Sequence, residues 1–338
     1  MRVADVFGRP IRDLRISVTD RCNYRCTYCM PYEEYDWVRK EELLTFEEIA
    51  RLAGIFSRLG AEKLRLTGGE PLVRKDLAGL IRLLAPIPGL RDLGLTTNGA
   101  LLAAQIADLK AAGLRRINIS LDTLNAVKFR SITQRGELTP VLEGIEAAKF
   151  CGMDSIKINA VVMRGVNDDE ILDLAEFGRR NGLILRFIEY MDVGNANQWT
   201  YNRLVPKQEI LDIIQSRYPL RQVGRASGRA PSVDYDYVDG QGKIGIIGSV
   251  TEPFCGTCVR ARVTPDGRLV TCLFSQTGYD LKPLLRQGAS DSHLTDVIRS
   301  VWAGRNDKYS EDRWTALRSS AGYDPTAHRK IEMIRLGG

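Results

Sequence analysis

Between residues 14 and 191 the sequence alternates short runs of aliphatic and β-branched residues with longer runs of helical periodicity. This alternation restricts the fold more than any single motif. The strand-like runs are Leu14–Val18, Lys63–Thr67, Leu93–Thr97, Arg116–Leu121, Ile156–Val162 and Leu185–Tyr190. Helical patterns fill the gaps at Phe46–Leu59, Leu77–Leu84, Leu101–Ala112, Val141–Phe150 and Ile171–Arg180. Strands that return after such helices pair in parallel through right-handed crossovers. Six units fall short of the eight in a closed TIM barrel, so residues 1–205 predict an α/β fold: a partial, open TIM-type barrel of about six strands. After Pro206 come one amphipathic helix, Lys207–Tyr218, a loop over 224–232, a strand over Lys243–Val250 and a tight reversal at Asp266-Gly267. Residues 206–338 read as a smaller α+β extension covering the opening, where edge strands and barrel interior would otherwise lie bare.

In barrels of this kind reactive groups sit at the C-terminal ends of strands. Gly68-Gly69-Glu70-Pro71 follows the second strand, Thr96-Thr97-Asn98-Gly99 ends the third, Ser120 and Asp122 end the fourth, and Glu189, Tyr190 and Met191 end the sixth. After the first strand stand Cys22, Cys26 and Cys29, spaced C-x3-C-x2-C. Three thiolates on one loop hold three irons of a [4Fe–4S] cubane and leave the fourth iron open, whereas a zinc knuckle asks for four protein ligands. A second triplet, Cys255, Cys258 and Cys272, lies in the extension. It fits either another cluster with an open iron or a Cys3His zinc site completed by His293 or His328. Arg260 and Arg262 flank Ala261 directly afterwards, and on a strand they would share one face. Cys151, in a helical run, reads as a small core residue.

The chain has 338 residues, a net charge of +6 and seven cysteines. An odd cysteine count with six in two tight groups favours metal binding in a reducing cytoplasm over disulfides. There is no apolar run of membrane-spanning length and no leader pattern at the N-terminus. The positive excess forms no dense Lys/Arg block and no aromatic-interleaved stripe, which argues against nucleic acid as partner.

With both triplets placed, the sequence resembles the radical S-adenosylmethionine GTP 3′,8-cyclases over essentially its full length. The matching strings include Phe7-Gly8-Arg9, Leu14 through Asn23, Cys26-Thr27-Tyr28-Cys29-Met30-Pro31, Leu64 through Leu72, Lys157-Ile158-Asn159, Arg186 through Met191, Phe254-Cys255 through Phe274, and the terminal Gly337-Gly338. The resemblance implies a radical-SAM barrel with two [4Fe–4S] clusters, one on Cys22, Cys26 and Cys29 that binds S-adenosylmethionine, the other on Cys255, Cys258 and Cys272 that receives the guanine edge. It implies that Tyr28, Gly69, Ser120 and Met191 touch S-adenosylmethionine, with Gly69 bare so that the methionyl amino group can approach. Arg15, Arg65, Thr96, Lys157, Arg186, Arg260, Ala261 and Arg262 would hold GTP, and Gly337 and Gly338 would thread towards the reacting groups. It further implies a flavodoxin- or ferredoxin-type electron donor, a homodimer, and hand-off of the product to a pterin-forming protein. On sequence alone Arg15 and Arg65 are equally able to pair with Asp20 or Glu189 inside the barrel. One departure is Val259, where the family commonly has asparagine. The rival readings are another two-cluster radical enzyme acting on a peptide, and a non-catalytic iron–sulfur regulator.

Overall fold

The computed structural model describes residues 3–319 and 322–337. Its barrel strands are β1 (Asp13–Ser17), β2 (Lys63–Thr67), β3 (Asp92–Thr97), β4 (Arg116–Ser120), β5 (Ser155–Val162) and β6 (Ile184–Glu189). They alternate with helices α1 (Phe46–Arg58), α2 (Leu77–Leu84), α3 (Ile106–Ala111), α4 (Ala126–Thr133), α5 (Leu138–Phe150) and α6 (Ile171–Arg180). Helix starts follow local chemistry. Thr45 and Glu48 form a reciprocal capping box on α1, and Asp76 and Asn125 cap α2 and α4. The pattern expected from Leu101 becomes helical only at Ile106, because residues 99–104 form turns.

Alternation along each strand sorts the residues. Leu14, Ile16, Leu64, Leu66, Ile117, Ile119 and Ile158 are buried in the main hydrophobic core, while the polar residues between them face the interior. The parallel register then lines up interior side chains across neighbouring strands: Arg15 sits opposite Arg65, Asn118 opposite Lys157, and Asn159 opposite Arg186.

The extension does more than cover an opening. It contributes α7 (Lys207–Gln215), β7 (Leu220–Gly224), β8 (Val233–Tyr237), β9 (Lys243–Ile247), β10 (Arg260–Val263), β11 (Arg268–Val270) and β12 (Tyr279–Asp280), then α8 (Lys282–Arg286), α9 (Asp291–Ala303), α10 (Tyr309–Leu317) and α11 (Met333–Leu336). Strand β9 pairs in parallel with β6, and β10 pairs in parallel with β1, so both edges of the barrel gain a strand from the extension. The sheet has twelve strands in the order β12-β11-β10-β1-β2-β3-β4-β5-β6-β9-β8-β7 and stays open. Residues 248–259 pass from one edge to the other across the gap. Buried Glu189 at the end of β6 fastens this crossing: its carboxylate accepts from the Lys207 and Val250 amides at 2.7 Å each, from the Thr251 amide at 2.9 Å, and from the Thr251 hydroxyl.

Candidate active site

The barrel interior, the crossing segment and the chain end enclose one cavity of about 680 Å³. The first three thiols line it from the loop after β1. That loop is held by backbone bonds: the amides of Cys29 and Met30 donate to the Cys26 carbonyl, and those of Arg25 and Thr27 to the carbonyls of Thr133 and Ile132. Arg25 donates to the carbonyls of Cys22 and Tyr24 and lies over Trp37, so its charge is spent on shaping the loop. Burial pushes the Cys22 thiol up to about 11 and Cys29 to about 12, and pushes Cys26 well above its ordinary value.

The protein around Gly69 itself requires a glycine. A Cβ there would sit 2.5 Å from the Arg21 carbonyl oxygen and 2.6 Å from that of Asp20, so the backbone of the cysteine loop excludes it. Its amide donates to the Thr19 carbonyl, and the next amide, of Glu70, donates to Arg21. Glu70 is buried and accepts from the Thr97 hydroxyl at 2.7 Å and from the Asn98 amide at 2.6 Å, while burial raises its carboxyl to about 7. The Tyr28 hydroxyl donates to Asp122 at 2.6 Å, and Asp122 also accepts from the Val161 amide. Tyr28, Gly69, Ser120 and Met191 all line the cavity.

The second triplet faces the same space. Here cations are close. The Arg260 guanidinium donates to the Cys258 sulfur at 3.2 and 3.3 Å. Burial alone would raise this thiol, but Arg260 and Arg305 outweigh it and bring Cys258 down to about 6. Arg305 and Arg9 brace the loop from behind, donating to the carbonyls of Cys258 and Cys255 at 2.8 and 2.7 Å. Among the described residues no three His, Cys, Asp or Glu side chains gather closely enough to hold a single metal ion. Neither His293 nor His328 lines the cavity. The cavity thus offers the second triplet no histidine beside it. A cubane, which presents separate irons to separate thiols, is the group that each three-thiol set fits.

Between the triplets runs a wall of cations. Arg262, Arg15 and Arg65 occupy one row across β10, β1 and β2, and Lys157 and Arg186 face the same cavity from β5 and β6. The alternatives for Arg15 and Arg65 fall away: Asp20 accepts from the Val38 amide and Glu189 is engaged with the extension. Arg65 donates to the Thr96 hydroxyl at 3.4 Å, and the Nε atoms of Arg15, Arg65 and Arg186 are buried without a partner. Burial, then Arg262, holds Arg15 well below its ordinary value, and burial brings Arg186 and Arg262 to about 10. Such converging, under-satisfied guanidiniums suit a polyanion. Arg260 and Arg262 share the inward face as their spacing implies. Ala261 points the other way: it is wholly buried in the hydrophobic core and does not line the cavity. Val259 lines the cavity, and its carbonyl accepts from the amides of Arg12 and Asp13.

The chain end reaches this wall. Gly337 lines the cavity with φ +65°, and a Cβ there would overlap the Thr67 side chain. Arg262 donates to the carbonyls of Leu336 and Gly337 at 3.3 and 3.2 Å. Gly338 lies outside the described residues. Sequence reasoning passed over Asp192 and Arg305: the donors to the Asp192 carboxylate are more than a hundred residues away, and Arg305 reaches Asp5 and the Cys258 carbonyl across the fold.

Comparison with known proteins gives these features a family. Residues 16–178 match the Radical SAM superfamily model, and residues 183–311 match Molybdenum Cofactor Synthesis C. A GTP 3′,8-cyclase of Acidothermus cellulolyticus is 46% identical, with 99% of each chain covered. One from Xanthomonas campestris is 45% identical, covering 99% of this chain and 97% of its own, and one from Staphylococcus epidermidis is 42% identical, with 99% of each covered. The chain belongs to the GTP 3′,8-cyclase family. Within it the open barrel carries S-adenosylmethionine and iron–sulfur chemistry. Among solved structures, Streptococcus suis SuiB bound to S-adenosylmethionine shares the fold with a TM-score of 0.60 at 16% identity, over 92% of this chain and 69% of that one. No helix among the described residues is long and apolar enough to cross a membrane.

Proposed function

We propose that this chain converts GTP to (8S)-3′,8-cyclo-7,8-dihydroguanosine 5′-triphosphate, the first step of molybdenum cofactor biosynthesis, with residues 1–205 supplying the radical barrel and first cluster and 206–338 the extension with the second cluster and the diglycine tail. The observation that carries the reading is a single cavity lined by both three-thiol sets and by a wall of cations. Cys22, Cys26 and Cys29 would hold the cluster that binds S-adenosylmethionine; Cys255, Cys258 and Cys272 would hold a second. When bound, these groups supply the electron and the hydrogen-abstracting radical that join ribose C3′ to guanine C8.

The chain's own residues do the rest. Tyr28, Ser120 and Met191 bracket the cofactor; Gly69 serves by letting the cysteine loop pack on the second strand end. Arg15, Arg65, Lys157, Arg186 and Arg262 offset the charge of the triphosphate, with Thr96 orienting Arg65, while Arg260 holds Cys258 as the thiolate. Ala261 would take part through its strand backbone. Gly337 closes the wall beside Arg262, with Gly338 assigned to the same catalytic tail. Covalent and electrostatic positioning in a closed cavity excludes water from the reacting atoms. The reducing equivalent would come from a flavodoxin- or ferredoxin-type protein in the cytoplasm, and a homodimer and product hand-off follow from the family.

The test is an anaerobic assay of reconstituted protein with dithionite, S-adenosylmethionine and GTP, iron counted first and products read by mass spectrometry. About eight irons per chain with 5′-deoxyadenosine formed alongside a GTP isomer supports the reading. Deoxyadenosine with unchanged GTP moves the substrate elsewhere, and about four irons plus one zinc refutes the second cluster.

A further inference from the structure

Asp192, on the loop after β6, is not among the cavity-lining residues, yet its carboxylate gathers four donors, as many as Glu189, which does line the cavity. Its side chain is 1% exposed. It pairs with Arg313 and accepts from the Lys330 ammonium and the Tyr309 hydroxyl at 2.8 and 2.6 Å, and from the Tyr323 hydroxyl. All four donors belong to the last thirty residues of the chain. Neighbouring Asn195 completes the dock, its amide group donating to the Lys330 carbonyl at 2.7 Å and accepting from the Lys330 amide at 2.8 Å. Only a few residues separate this dock from α11 and Gly337, which reaches the cavity against Thr67 and Arg262.

We propose that Asp192 is a positioning residue for the cyclisation: by fastening Arg313 and Lys330 beside the barrel, it fixes the direction in which the final turn enters the cavity. A flexible run of several residues has no geometric reason to place a glycine carbonyl on one guanidinium, since each free residue adds conformations that must be lost. A buried carboxylate with four donors fixes the start of that run. The inference rests on the reading of the tail as part of the active site.

The test compares full-length wild type with Asp192→Asn and with Lys330→Met, which keeps the Asp192–Arg313 pair. Trypsin cleavage at Arg329 and Arg335 is followed in the folded proteins, alongside steady-state kinetics. We expect Asp192→Asn to speed cleavage at these two sites roughly tenfold with other sites unchanged, and to lower kcat for the cyclised product by a similar factor with KM for GTP held within about twofold. Lys330→Met should show the same split at smaller size. A general loss of folding would speed cleavage everywhere; if Asp192→Asn does so and Lys330→Met shows no split, the proposal fails. It fails equally if protection is unchanged, or if the segment is exposed and turnover is not impaired. Deleting Gly337 and Gly338 alone separates the two readings: undiminished turnover there refutes the role of the tail, whereas unchanged protection in Asp192→Asn refutes the anchor and leaves the tail's role standing.

Discussion

The two thiol triplets open onto one cavity but differ in whether a cation reaches one of their thiols. The first sits on one tight loop after β1, the Arg25 guanidinium is spent on its backbone carbonyls, and burial raises its thiols, with Cys29 up to about 12. The second is assembled from the crossing segment, with Cys255 and Cys258, and the stretch after β11, with Cys272; Arg260 with Arg305 brings Cys258 down to about 6, while burial pushes Cys272 up to about 12. The first loop thus needs the cluster's own positive charge to become a ligand set, whereas in the second one thiol, Cys258, is already polarised by the protein and burial still holds Cys272 up. Both follow from position. The first loop lies between buried apolar strand ends; the second lies where β10 carries two arginines inward.

The comparison is broken most severely by removing one ligand from each triplet. Cys26→Ala should abolish 5′-deoxyadenosine formation, a loss of at least about a thousandfold, or on the order of 4 kcal/mol. Cys258→Ala should abolish the cyclised product while deoxyadenosine still forms slowly, and each variant should lose about half of its iron. If Cys258→Ala keeps all its iron, the second triplet is not a cluster site.

Next in size is the cation wall. Arg15→Leu removes one member of the Arg262–Arg15–Arg65 row. A charge-assisted bond to phosphate contributes roughly 1.5–3 kcal/mol, so KM for GTP should rise about 10- to 150-fold with iron content unchanged. An unaltered KM would mean that the triphosphate lies elsewhere. Gly337→Ala should come third. It adds a methyl group against Thr67 at a positive φ, and overpacking of about 1–3 kcal/mol should either displace the tail or slow turnover by a corresponding factor. Thr67→Ala made together with it should recover part of the loss; no recovery would show that φ strain, not overlap, is what matters.

Local features were open to reading from the sequence and distant ones were not. Six strand–helix units, the first cysteine loop and the inward alternation of Arg260 and Arg262 depend on neighbours within a few residues, and all appear where periodicity puts them. The strands β9 and β10 escaped as barrel members because their partners, β6 and β1, are remote in the chain and a short apolar run carries no address. Helix α4 was missed for a similar reason: its sequence, Ala126–Thr133, lacks a strong apolar stripe and its Asn125 cap was the only cue. At the site, Gly69 was legible as a required glycine, but its crowding by the backbone of another loop was not. Asp192 could not be read at all, since nothing near residue 192 announces Arg313 or Lys330.

The smallest effect sharpens the contrast between a thiol-rich and a cation-rich end. Burial, then Arg186, Arg65 and Arg116, lowers Lys157 to about 8, against roughly 10.4 for a free lysine. A base with a depressed folded value favours its neutral form in the fold. Its contribution is therefore unfavourable below about 8 and is relieved as pH rises from about 8 towards 10.5. A bound triphosphate works in the opposite direction, because an anion beside Lys157 restores the proton. Between pH 8 and 9, GTP binding should thus take up a fraction of a proton, and affinity should fall by a few-fold as pH rises across that window. Calorimetric titration in two buffers of different ionisation enthalpy reads the uptake directly, and Lys157→Gln should abolish it while the thiol triplets keep their iron. Equal heats in both buffers for the wild type would place the phosphate charge away from Lys157, leaving the row of three arginines to carry it alone.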